Sequence, residues 1–100
     1  MSTAIIYLTG KGGALAEKLA AIISNTQLCG KSKGERAPET SSYDNVSKLT
    51  TEIFNRHSKL IFIMATGIVV RVIAPLLKDK FTDPAVVVLN ETGEHVISLL

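Results

Sequence analysis

The residues best equipped for chemistry lie in two stretches of this 100-residue sequence. Thr66 and Gly67 follow six apolar residues, Leu60–Ala65, and precede a second apolar run. A Thr-Gly pair at the end of a buried strand and the start of a helix offers an anion unpaired backbone N–H groups and the positive end of the helix dipole. The competing reading is an N-cap followed by a tight turn. Arg71 is the only charge in the eighteen residues Leu60–Leu77. Its planar fork suits a carboxylate; otherwise it snorkels from a packed helix or pairs with an acid of the fold. Lys78 and Lys80 flank Asp79 and make either a cationic rim or an ordinary charged helix end. Asp83 presents a carboxylate just before Pro84, a pairing also common in turns. Near the N-terminus, Lys11 and Gly12 sit in Gly10-Lys11-Gly12-Gly13, where they can touch a carboxylate or simply make the turn.

These residues need elements to hold them. Ala4–Leu8 reads as a buried strand ending in the glycine turn. Leu15, Leu19, Ile22 and Ile23 then recur at helical spacing and predict one apolar face. Thr26–Cys29 is a candidate second strand, and the polar segment Lys31–Ser42 is expected to be a surface loop. Val46, Leu49, Ile53 and Phe54 predict a second helix, with Lys48, Glu52 and Arg56 on its solvated side. Leu60–Ala65 has no polar alternation, as expected of a central parallel strand covered on both faces.

Residues 67–78 are ambiguous. Their β-branched side chains favour a strand, which would make a hairpin through Thr66 and Gly67. Arg71 and Lys78 are seven apart, on one face of a helix but on opposite faces of a strand. Pro75 also fits poorly in a central strand. A helix is therefore preferred. Pro84–Leu89 and His95–Leu100 read as strands joined by Asn90-Glu91-Thr92-Gly93 in a hairpin. The expected fold is a single α/β domain over residues 1–100. It is three-layered, with a mostly parallel sheet flanked by helices and a C-terminal antiparallel hairpin.

Composition narrows the function classes. Hydrophobic residues make up 46%, net charge is +2, and there are five aromatic residues and no Trp. That argues against a nucleic-acid surface. The charge at Arg71, with Pro75, argues against a membrane span in the longest apolar stretch. The lone Cys29 rules out an intrachain disulfide framework and suits a reducing cytosol, so a cytoplasmic location is expected. It reads as a small buried residue. His57 reads as a solvated cap at a helix end and His95 as the start of a strand, and no metal-ligand pattern occurs. The glycine turn is not a dinucleotide fingerprint, because position 15 is leucine rather than glycine.

The block Met64-Ala65-Thr66-Gly67-Ile68-Val69-Val70-Arg71, then Ile73-Ala74-Pro75-Leu76-Leu77-Lys78-Asp79-Lys80, Thr82-Asp83-Pro84-Ala85-Val86-Val87-Val88, Gly93 and Val96–Leu100 resembles the N-terminal region of the cobalamin biosynthesis protein G family. A looser resemblance covers Leu8–Leu19. Members act as cobalt-precorrin-5A hydrolases in the anaerobic pathway and are much longer than this chain. The resemblance thus implies the N-terminal part of a longer cytoplasmic protein, one partner being the family's C-terminal domain, with an oligomer also possible.

It further implies that water opens the ring A δ-lactone of a cobalt-carrying corrinoid, with loss of acetaldehyde. Under that chemistry Thr66 and Gly67 would hold the oxyanion or a carboxylate. Arg71, Lys78, Lys80, Lys11 and Gly12 would bind the polyacidic substrate, and Asp83 would be the candidate base. No cofactor and no protein-bound metal are expected, since the substrate brings its own cobalt. The alternatives are a non-catalytic corrinoid-binding domain and a Rossmann-like ligand-binding module.

Overall fold

A computed structural model describes residues 2–31 and 41–100. The elements, in chain order, are β1 (Thr3–Tyr7), α1 (Gly10–Ile22), β2 (Thr26–Lys31), β3 (Ser41–Tyr43), α2 (Val46–Ile53), β4 (Lys59–Ile63), α3 (Thr66–Ile73), β5 (Ala85–Leu89) and β6 (Val96–Ser98). They build one six-stranded sheet in the order β3-β2-β1-β4-β5-β6. Every pairing is parallel except β5 with β6. The mostly parallel sheet, the flanking helices and the C-terminal antiparallel pair are as the sequence predicts.

The all-apolar strands occupy the middle of the sheet because both their faces are covered. Alternate residues of β1 serve opposite cores. Ala4 and Ile6 join Leu60, Phe62, Val86 and Val88 beneath α2 and α3, through Ile53, Phe54, Val69 and Ile73. Ile5 and Tyr7 join Leu28, Ile61, Ile63 and Leu89 beneath α1. Cys29 is buried in the first of these cores. Burial pushes its thiol up to about 11, which keeps it protonated and unreactive at neutral pH.

α1 approaches the sheet through small residues, with Gly12, Gly13 and Ala16 buried. Leu15, Leu19 and Ile23 pack around that contact. Ile22 does not share their face; it is 81% exposed. At about 100° per residue the face centred on Ala16 has turned well away by position 22. The predicted stripe is therefore corrected at that position.

α2 carries Ile53 and Phe54 inward, with Val46 and Leu49 packed at the margin. Lys48, Glu52 and Arg56 are exposed, as predicted. Thr50 is fully buried, and its hydroxyl donates to the Val46 carbonyl at 2.6 Å. Of the predicted loop Lys31–Ser42, Lys31 ends β2 and Ser41 and Ser42 begin β3. The rest of that prediction lies outside the described residues.

The ambiguous segment is helical. α3 runs into a 3₁₀ turn at Ala74–Leu76. Pro75 stands near the start of that turn, where its missing N–H disrupts no interior helical bond. Because α3 carries the chain back across the sheet, β5 pairs with β4 in parallel register. The hairpin alternative would instead have paired β4 antiparallel with residues 67–78. Gly93 takes φ +76° in the β5–β6 turn, a value that strains other residues. β6 is shorter than predicted and exposed throughout.

Two expected outcomes follow from this packing. A Cβ on Gly30 would fall 2.5 Å from the Tyr7 hydroxyl, whereas Gly10 has open space around it. In urea denaturation Gly30→Ala is expected to cost about 1–3 kcal/mol through overpacking, with Gly10→Ala neutral or slightly stabilising. His57 bridges to Ser2, Nδ1 to Oγ at 2.9 Å. Burial, then the Arg56 charge, holds its pKa below the ordinary 6.5. A depressed folded-state value means stability is present above pH ~6.5 and declines as pH falls further. Denaturation midpoints at several pH values should show this decline, and His57→Gln should flatten it.

Candidate functional site

The strand order reverses direction at β1. From β1 the chain moves to β2 on one side, then crosses to β4 on the other. In open α/β sheets the crevice at such a reversal, outside the carboxyl ends of the strands, receives ligands. The register defines the crevice closely. Tyr7 pairs with Ile63, and each is followed three residues later by the first residue of a helix, Gly10 in α1 and Thr66 in α3. The two helices thus begin at the same height from adjacent strands and pack on opposite faces.

Both helix starts present free donors. Thr9 caps α1, its Oγ1 accepting from the Gly12 N–H at 3.1 Å and its carbonyl from the Gly13 N–H at 2.9 Å. The N–H groups of Gly10 and Lys11 have no partner among the described residues. At α3 the N-cap is Ala65, which has no side chain to bond. The Ile68 and Val69 N–H groups reach the Ala65 carbonyl, and those of Thr66 and Gly67 have no partner among the described residues. Nor has the Thr66 hydroxyl. Thr66 is therefore the first residue of the helix rather than its cap. Gly67 has open space around it, so the backbone there is approachable.

A third element reaches the same crevice. The turn after β5 brings Glu91 back across the end of β4, and Thr9 Oγ1 donates to Glu91 Oε1 at 2.8 Å. The turn lies against α1, for a Cβ on Gly93 would meet Leu15 Cδ2 at 3.5 Å. The Asn90 side chain braces it internally, accepting from the His95 N–H at 3.0 Å and donating to Thr92 Oγ1 at 2.9 Å. His95 is exposed and contributes its backbone to this brace. Sequence reasoning used Glu91 only as a turn former. Knowing that β1, β4 and β5 are parallel is what places the residues after each of them at one edge.

The sequence-derived site residues divide between the two ends of the sheet. Thr66, Gly67, Lys11 and Gly12 meet at the carboxyl edge. Lys11 is exposed there, while Gly12 is buried against Tyr7 and its N–H is committed to Thr9. Lys78, Lys80 and Asp83 lie before the start of β5, at the amino edge, about 16 Å away along a five-residue strand. Asp83 Oδ2 accepts from the Lys78 and Asp79 N–H groups at 2.8 and 3.1 Å, so one carboxylate oxygen holds its own loop. Lys80 Nζ stands 5.1 Å from the centre of the Phe81 ring. Leu77, Lys78, Asp83, Pro84, Ala85 and Leu100 line an open hollow of about 450 Å³ at this end. Arg71 lies between the two ends, exposed in the last turn of α3 and without a partner among the described residues. At i, i+4 spacing it shares a face of α3 with Gly67.

No cluster of three or more His, Cys, Asp or Glu that could hold a metal ion occurs among the described residues. None of the described helices is long and apolar enough to cross a membrane.

The model of the cobalamin synthesis G N-terminal family matches residues 48–100, just over half of the chain. The chain belongs to this family. The cobalamin synthesis G match contains α3, the amino-edge loop and Glu91. Cobalt-precorrin-5A hydrolase from Salmonella typhimurium is 46% identical over 99% of this chain, and that from Priestia megaterium 39% over 97%. This chain spans 28% and 27% of their lengths. A crystal structure of a chain described as a cobalamin biosynthesis protein G homologue from Sulfolobus solfataricus superposes with a TM-score of 0.70. At 21% identity, over 99% of this chain and 29% of that one, it is similar in fold.

Thr9 joins the cap of α1 to the turn bearing Glu91. Thr9→Ala is expected to cost about 1 kcal/mol in chemical denaturation, and Thr9→Ser to restore most of the loss. Amide exchange at Gly12 should speed up in the alanine variant alone.

Proposed function

We propose that this chain is the N-terminal domain of a cobalt-precorrin-5A hydrolase, takes part in opening the lactone and acts in cobalamin biosynthesis. The observation that carries the reading is the paired, open helix starts at the β1/β4 reversal, in a chain of the cobalamin synthesis G N-terminal family. The substrate would be a cobalt-carrying corrinoid bearing several carboxylates. Water opens its ring A lactone, and a two-carbon fragment leaves as acetaldehyde. The cobalt belongs to the substrate and is not held by this chain.

The carboxyl edge suits such a ligand in two ways. Backbone N–H groups that meet no acceptor among the described residues favour an anion, whether a carboxylate in the ground state or the lactone oxyanion during attack. Such donors are already oriented when charge develops, so they need no reorganisation. Arg71 would clamp a peripheral carboxylate with its two-pronged fork. Lys78 and Lys80, at the other end of the sheet, would serve only a part of the substrate that extends past Arg71.

A second reading is favoured by length. The chain spans little more than a quarter of its curated relatives, so it would hold the corrinoid while the remainder of a longer protein supplies the chemistry. Incubating the 100-residue chain with cobalt-precorrin-5A separates the two. Acetaldehyde release supports catalysis by this domain, binding without release supports the holding role, and no binding at all overturns both. In either case Arg71→Ala should weaken corrinoid affinity about tenfold, or about 1.4 kcal/mol. Titration of the corrinoid absorbance measures it, and an unchanged affinity removes Arg71 from the site.

A further inference from the structure

We propose that Glu91 is the general base that activates water for lactone opening, an inference that rests on the hydrolase reading above. The case begins with what a base must do. It needs a carboxylate or imidazole within reach of a water that can approach the carbonyl carbon, while donors on another side hold the developing oxyanion. The donors lie at the starts of α1 and α3. The base must therefore stand at the carboxyl edge, beside the end of β4.

Asp83 does not meet that condition. It stands at the amino edge, with one carboxylate oxygen bonded to two backbone N–H groups of its own loop. His57 follows α2 just before β4 begins, also at the amino edge, and is paired with Ser2. Glu91 meets the condition. It arrives from β5, spans the end of β4 and is held by Thr9 from β1, so its carboxylate stands beside the crevice that the two helix starts flank. Thr9 Oγ1 engages only Oε1, and Oε2 has no partner among the described residues. Glu91 is half-buried, and no ion pair neutralises it among the described residues. One oxygen is thus fixed and the other is available to a water.

The step balances. Glu91 takes a proton from water as the water oxygen bonds to the lactone carbonyl carbon. The tetrahedral oxyanion rests on the N–H groups of Thr66 and Gly67. Its collapse breaks the bond from the acyl carbon to the ring oxygen, and that oxygen recovers the proton from Glu91. The product is the ring-opened hydroxy acid, and no oxidant, reductant or cofactor is consumed.

Glu91→Gln tests this in the intact, full-length protein. The amide oxygen can still accept from Thr9, so the brace is kept and only the basic oxygen is lost. The expected result is unchanged thermal stability, unchanged corrinoid affinity and a fall of about 10²–10⁴ in lactone hydrolysis, with Asp83→Asn keeping most of the rate. Any acid limb of the wild-type pH–rate profile should vanish from the residual Glu91→Gln activity. Partial rescue of Glu91→Ala by formate supports the role further. Hydrolysis by Glu91→Gln within threefold of wild type overturns it. So does a loss of stability or affinity matching the loss of rate, which would make Glu91 a brace alone. A wild-type protein that binds the corrinoid without opening the lactone fails the hydrolase reading itself, and the base role with it.

Discussion

The pairing of β1 with β4 is the constraint from which the rest follows. β1 is apolar on both faces and must be covered on both. A parallel neighbour can be reached only through a crossover, and β1 has one on each side: β2, reached through α1, and β4, reached from β3 through α2. Thr3 to Tyr7 align with Lys59 to Ile63 without offset. That zero offset sets two helix starts side by side and leaves a gap where they diverge onto opposite faces. A one-residue slip would turn every β4 side chain toward the wrong core. The apolar packing that holds the register therefore also holds the geometry of the crevice.

The same principle separates what was legible in the sequence from what was not. Leu60–Ala65 announced a central strand through its unbroken apolar run. Spacing and Pro75 favoured a helix for the ambiguous segment that follows, and the structure has one, because the period of burial outweighs β-branched propensity where a core face must be covered. Ile22 misled, since a stripe counted from Leu15 ignores the glycines that bring α1 close and re-centre its face on Ala16. β3 was hidden: a three-residue edge strand in polar sequence carries almost no pattern. The site was only partly visible. Residues at helix starts could be named from motifs, but which end of the sheet each occupies depends on strand direction. That is why Lys78, Lys80 and Asp83 stood in one list with Thr66, while the fold holds them a strand's length apart.

The two edges also differ in how their polar groups are satisfied. At the amino edge, Asp79 and Asp83 accept from neighbouring backbone N–H groups, and the loop is closed on itself. At the carboxyl edge, two helix starts leave backbone N–H groups without partners among the described residues, and Ala65 provides no side-chain cap. A helix that begins without a side-chain cap forgoes about 1 kcal/mol. Retaining that deficit at α3, while α1 and α2 are capped by Thr9 and Asn45, fits a position kept open for something other than the fold.

The Thr9–Glu91 hydrogen bond joins residues 82 positions apart, and this fixes when the crevice can exist. Thr9 is made early and has its own strand and helix. Its partner follows β5, so the crevice is complete only when β1, β4 and β5 are all in place. It is also tethered through β6, a strand of three exposed residues at the sheet's edge. Short edge segments with little buried apolar surface open at low free-energy cost. Fraying of β6 would release the turn that carries Glu91 while the four central strands stay paired. The crevice would thus lose its carboxylate wall without the domain unfolding.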